Sequence, residues 1–306
     1  MHRRARLLIL LIIIACGGAI WLVAWRRSHS ISAPAAMLAR LPTNDAVVLY
    51  IDFEALRRSG ILDLMSRSKI AEEPEYQAFV QSTDFDWKQD LDTAFAAFRP
   101  EETFMLVKGR LDWKKLQSYA RQQHGSCYNT LCRMPGSSPT RKISFFPLQH
   151  NLMALAVGSD EFAATRLQEK ALNAQRIAPP PQPIWISVPS KTLKESESFP
   201  TGTRMFAKAM QDAENIMISV GPHDHQFQAN LEVICRSPQD ASGLTAQLER
   251  ATTLLRDMIA RERKAPNPND LSGVLTAGVF GQQDRRVFGH WPIAPGFLEA
   301  LAGGTL

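Results

Sequence analysis

Pro179-Pro180-Pro181-Gln182-Pro183-Ile184-Trp185-Ile186-Ser187-Val188 divides the chain and sets its fold. Proline fixes φ and removes the backbone donor, so the first five residues form a stiff, extended connector that no helix can include. The next five are β-branched, aromatic or small and read as a strand. A punctuated strand this far into a 306-residue chain marks the opening of a second half.

Upstream, Pro42-Thr43-Asn44-Asp45 is turn chemistry and Ala46–Asp52 reads as a strand. Phe53–Ser68 reads as a helix with Leu56, Ile61, Leu64 and Met65 toward a core, and Glu73–Gln81 as a second. Leu91–Phe98 and Thr103–Lys108 are strands joined through Arg99-Pro100-Glu101-Glu102. Asp112 caps a helix over Trp113–Gln123. Lys142–Pro147 and Asn151–Val157 form a further hairpin, and Ser159 caps a helix from Asp160 to about Ala171.

Downstream, Ile184–Val188 is followed by a helix near Gly202–Asp212 and by strands Glu214–Val220 and Gln226–Cys235. Pro238 opens a long helix to about Arg263, Pro being well placed at a first helical position. Its apolar stripe is Ala241, Leu244, Leu248, Ala251, Leu255 and Met258. Val274–Phe280 and Arg285–His290 form a hairpin, and Pro295–Leu301 a last short helix.

Both halves therefore read strand, helix, hairpin, helix, hairpin, helix. Val47–Ile51 aligns with Ile184–Val188, Gly109–Trp113 with Cys235–Gln239, and Gly158–Phe162 with Trp291–Pro295. The expected fold is α+β: two related modules, 42–178 and 184–306, of mostly antiparallel sheet with helices packed on one face. An anchor over 1–27 and a linker over 28–41 precede them. The order of elements, Pro42-Thr43-Asn44-Asp45-Ala46 before a strand and Gly109-Arg110-Leu111-Asp112 before a helix resemble uncharacterised membrane-anchored bacterial envelope proteins built of tandem α+β modules. The resemblance covers roughly 40–300; it implies envelope residence and carries no assigned activity or functional residue.

Leu7–Trp25 is 19 residues without a charge. At 1.5 Å per residue it spans about 28 Å, close to the hydrocarbon thickness of a bilayer. Arg3, Arg4, Arg6, Arg26 and Arg27 flank it, and Trp21 and Trp25 sit where amphipathic rings favour the interface. The expectation is an uncleaved, single-pass anchor in the inner (cytoplasmic) membrane, with the C-terminal domain outside the cytoplasm. Two rivals are cleavage near Ala33-Pro34-Ala35 and lipidation at Cys16 in Ile13-Ile14-Ala15-Cys16-Gly17.

The net charge of +5 points to no nucleic acid. With the five flanking arginines set aside, the 35 Lys and Arg fall to 30, equal to the 30 Asp and Glu. A neutral body lacks the concentrated positive footprint that phosphate affinity needs.

Cys127 and Cys132 could close a small disulfide loop in an oxidising compartment or stay as free thiols in a short strand. Cys235 lies in an apolar strand pattern and reads as buried. His223-Asp224-His225 at a hairpin tip reads as a polar turn before it reads as a metal site. Asp84, Asp86, Asp90 and Asp92 fail the calcium-loop pattern, since Gln89 and Phe95 hold the positions that need Gly and Glu. Trp87, Trp113, Trp185 and Trp291 read as core. No G-x-S-x-G elbow, phosphate loop, dinucleotide fingerprint or H-E-x-x-H is present. No catalytic residue, metal ligand or cofactor is therefore assigned. The expected function is a non-enzymatic binding or structural module of the envelope, with the bilayer held through residues 7–25 and an envelope protein or wall component as partner. The alternative is an anchored hydrolase between the modules, with a Ser or Cys beside His150 or His290.

Overall fold

The computed structural model describes residues 31–65, 74–172, 177–192, 206–223, 226–262 and 265–303. The anchor segment, its flanking arginines and Cys16 lie outside them. Among the described residues no helix is long and apolar enough to cross a membrane.

Twelve antiparallel strands form one sheet. They are β1 (Val47–Asp52), β2 (Leu91–Phe98), β3 (Thr103–Gly109), β4 (Ser126–Tyr128), β5 (Leu131–Pro135), β6 (Lys142–Gln149), β7 (Leu152–Gly158), β8 (Ile184–Val188), β9 (Asn215–His223), β10 (Gln226–Ile234), β11 (Val279–Gln283) and β12 (Arg286–Ile293). Their order is β11-β12-β10-β9-β8-β1-β2-β3-β7-β6-β5-β4. Read outward from the middle, β1-β2-β3-β7-β6 matches β8-β9-β10-β12-β11 step for step. The halves meet where β8 pairs with β1, Leu49 opposite Ile186 and Tyr50 opposite Trp185. The proline connector delivers β8 to that edge: the Asp52 amide donates to the Pro183 carbonyl at 2.7 Å. It also lies so close to β9 that a Cβ on Gly221 would come within 2.9 Å of Pro183 Cδ.

Strand side chains alternate between faces, so the register divides the core. The front carries Val48, Tyr50, Phe95, Phe104, Leu106 and Trp185. Helix α1 (Pro34–Leu38) and a 3₁₀ turn (Ala163–Leu167) cover it with Met37, Leu38, Ala163, Ala164 and Leu167. The back meets the remaining helices, among them α2 (Phe53–Arg58), α3 (Ile61–Met65), α4 (Pro74–Thr83), α5 (Trp87–Asp90), α6 (Trp113–Gln122), α7 (Pro238–Arg261), α8 (Leu271–Thr276) and α9 (Pro295–Gly303). Leu116 and Ala120 of α6 pack on Cys132 and Phe145, and Leu244 and Leu248 of α7 on Leu231 and Val233. The first half is thus covered on both faces rather than one. Ala96 and Ala97, adjacent on β2 and both buried, record this: a strand buried on both sides loses its alternation.

Four expected elements differ. The helix expected over Phe53–Ser68 stops after Arg58 and restarts at Ile61, because Gly60 adopts φ +75°, the left-handed form that ends helices. Residues 66–68 lie outside the description. The helix expected from Asp160 is only the 3₁₀ turn Ala163–Leu167; Asp160 spends its carboxylate on the Phe162 amide at 2.9 Å and on Arg166 at 2.8 Å. Val274 belongs to α8 rather than to a strand, since Asp270 caps that helix at the Gly273 amide. The apolar stripe of α7 is buried only as far as Thr252, and Met258 is 51% exposed, because a helix of 24 residues outruns the sheet beneath it. For the helix expected near Gly202–Asp212, residues 206–209 are helical and 202–205 lie outside the description.

Candidate functional site

The back of the second half is a row of apolar side chains set by register. Ile186 of β8 faces Ile218 of β9, which faces Leu231 of β10. Val188 faces Ile216, and Ala229 faces Trp291 of β12. Among the described residues the helix layer does not close over this row. Beneath Phe206, Ala207 and Met210 on one side and Val274 and Leu275 of α8 on the other lies a cavity of about 590 Å³. Its floor reaches from Val47 on β1 across β8, β9 and β10 to Trp291 on β12. Four strand spacings make that roughly 19 Å. On β8, β9 and β10 it is two side chains wide. Among the described lining residues Thr192 alone carries a hydroxyl, and it is exposed.

The wall formed by α8 is fastened at both ends. Asp270 Oδ1 accepts from the Gly273 amide at 3.0 Å and from Ser272 Oγ at 2.5 Å. The Ser272 hydroxyl, ahead of the backbone donors, holds the Asp270 carboxyl below its ordinary value. At the other end Arg256 Nε of α7 donates to the Thr276 carbonyl at 2.8 Å. A carboxyl depressed by folding stabilises the fold above its unfolded value near 4 and loses that contribution as pH falls through the lower folded value. Asp270→Ala is accordingly expected to cost about 1 kcal/mol, the usual value of a helix cap. Asp270→Asn keeps an acceptor, so it should lose less and should flatten the fall in melting temperature below pH ~4.

A second cavity, of about 430 Å³, lies on the front where the halves meet, between Pro179–Pro183 and the buried rings of Tyr50, Phe95 and Trp185. Burial, reinforced by the Asp52 carboxylate at 3.5 Å, pushes the Tyr50 hydroxyl up to about 12. That phenol stays protonated and donates to Asp52, which caps α2 at the Ala55 amide at 2.8 Å.

The residues singled out in sequence fall elsewhere. Cys127 and Cys132 stand directly opposite across β4 and β5 and are joined by a disulfide, Cα atoms 4.0 Å apart. Closing so short a loop stabilises by about 2 kcal/mol in the chain-entropy account. Dithiothreitol should lower the melting temperature of the native chain and leave a Cys127→Ser/Cys132→Ser variant unmoved. Cys235 is buried, as its strand pattern implies, and burial pushes its thiol up. His223 ends β9, and Asp224 and His225 lie outside the description.

Asp84, Asp90 and Asp92 line one surface groove, and the Asp86 amide donates to Asp90 Oδ2 at 2.8 Å, but their carboxylates are engaged separately. Asp84 pairs with Lys115. Asp86 caps α5 and accepts from Tyr76 Oη at 2.8 Å. Asp90 pairs with Arg110 at 2.8 Å. Among the described residues no three metal-ligating side chains converge. His290 Nδ1 lies 3.4 Å from Asn230 Oδ1, and the His150 carbonyl accepts from Trp113 Nε1 at 2.8 Å. Trp185 is a core residue, whereas Trp291 lines the apolar cavity. Sequence reading missed the cavity because strand residues have the same pattern whether a helix or a void covers them. The one available signal was the small side chains Ala207 and Ala229 among larger apolar ones.

No family model and no curated protein matches the chain. Solved structures share its fold. Crystal form III of TP0453 aligns with a TM-score of 0.52 at 12% identity, over 89% of this chain and 98% of that one. Crystal form I of the same protein gives 0.49 at 13% identity, over 87% and 95%. Such a likeness defines the class, an α+β protein with a large antiparallel sheet, and nothing finer.

Proposed function

We propose that this chain is a single-pass, envelope-facing binding protein of two duplicated α+β modules, whose second module holds an apolar ligand without transforming it. The observation that carries the reading is the cavity on the back of β8, β9 and β10. Its volume lies within the range of small-molecule sites, and its lining is apolar with Thr192 at one end. Covering apolar walls of this kind with an apolar occupant removes them from water and gains free energy. The uncharged run Leu7–Trp25 supports the tether, and the matching strand order of the halves supports duplication.

Three measurements test it. An environment-sensitive apolar dye added to the full chain should shift its emission, and Ala229→Phe, which places a ring in the cavity, should abolish the shift. Alkaline phosphatase fused after Leu306 should be active; a fluorescent green-protein fusion with an inactive phosphatase fusion would reverse the orientation. Turnover of any ester, amide or glycoside by the full chain would replace binding with catalysis.

A further inference from the structure

We infer that the occupant of the second-half cavity is one linear acyl chain, lying across the strands with its methyl end at Trp291 and its polar head at Thr192. This rests on the reading of the cavity as a binding site and specifies what fills it. Shape selects the class. The floor is five strands long but two side chains wide, so it fits a rod better than a compact ring system. Its length of roughly 19 Å compares with about 15 Å for one leaflet of a bilayer's hydrocarbon core, the reach of a single membrane acyl chain.

Chemistry selects the direction. The lining toward Trp291 is apolar, whereas Thr192 is exposed and follows Lys191. Lys191 Nζ lies 3.0 Å from Asp45 Oδ1 in an exposed ion pair, and Asp45 stands two residues before Val47, the cavity's first floor residue. An anionic head at that end meets the Thr192 hydroxyl and Lys191, for which it competes with the Asp45 carboxylate. A head at the other end would meet the Trp291 indole, whose buried N–H has no partner among the described residues, and otherwise hydrocarbon; no cation lines that end, and an unpaired charge there is costly. The acyl chain could arrive as a free fatty acid or as a single-chain phospholipid.

The test uses the full chain in nanodiscs and fatty acids carrying bromine at either end, a quencher that acts at contact. An ω-bromo acid should quench the fluorescence that Trp291→Phe removes, and an α-bromo acid should not. Affinity should rise about fourfold per added methylene from octanoate upward and level off once the chain spans the floor. Lys191→Ala should weaken fatty-acid binding two- to fivefold, as expected for an exposed charge pair, and leave the neutral monoacylglycerol unchanged. An ω-bromo lysophospholipid run in parallel separates the two sources. If it alone quenches Trp291, the chain arrives on a phospholipid; if the free acid alone does, it arrives as a fatty acid. Equal quenching from both bromine positions, or affinity independent of chain length, would overturn the inference. If the compact dye still binds and Ala229→Phe still blocks it, the binding reading survives that failure. If dye and chains alike ignore Ala229→Phe, both readings fall.

Discussion

Replacing Trp185 with alanine is expected to cost about 3–5 kcal/mol, the range for truncating a buried aromatic, and to lower the melting temperature by on the order of 10 °C. Trp185 is 1% exposed. Its ring stacks on Tyr50 at 5.5 Å and meets Phe95 edge-on at 5.9 Å. Tyr50 is also its register partner, so the contact is where β8 of one half joins β1 of the other. The void would open beside a cavity already present on the front, and the backbone of two paired strands cannot move in to fill it. Trp185→Phe keeps most of the ring and should lose less. Thermal melts of the full chain followed by circular dichroism measure both. A loss under ~1 kcal/mol for the alanine variant would mean that the halves are held together elsewhere.

Much of this architecture was legible in the sequence, and the reason is physical. Strands β2, β3, β6, β7, β8 and β12 carry apolar residues between turn residues, and a strand must show that pattern wherever it packs. Helices α6 and α7 announce themselves through Asp112 and Ser237, whose side chains cap them at 3.0 Å and 3.1 Å. The misreadings share a cause as well. Asp270 before Leu271-Ser272-Gly273 is a helix start, but a helix of six residues shows less than two turns of periodicity, and Val274-Leu275 beside it reads as strand. Ser159 looks like the cap of a helix from Asp160, yet the Asp160 carboxylate is drawn to Arg166, which also pairs with Glu102 at 3.0 Å. Long-range pairing decides that turn, and sequence distance hides it. The candidate site was the least legible part. A cavity is a property of what fails to pack, and the small side chains of Ala207 and Ala229 signal it no more strongly than any alanine in a core does.

Leu231→Ala should destabilise the chain by about 3–5 kcal/mol, toward the upper end for such truncations. Leu231 is 3% exposed, at the centre of the cavity floor, between Ile218 on β9 and Gly289 on β12. Gly289 has no side chain to lean into the gap, and Ile218 is fixed by its strand, so the new void merges with the one already there. Ala229, two residues away on the same strand and the same face, should behave in the opposite sense. Adding a ring to a packed core costs about 1–3 kcal/mol, but Ala229→Phe points into open volume and gains apolar burial. Urea unfolding should therefore move the midpoint down for Leu231→Ala and leave it level or raise it for Ala229→Phe, with slopes unchanged in both. The two substitutions act on one surface with opposite signs only if the space between sheet and helices is empty in the unliganded protein. Were both to destabilise alike, the helices would be packed down on the strands, and there would be no cavity to fill.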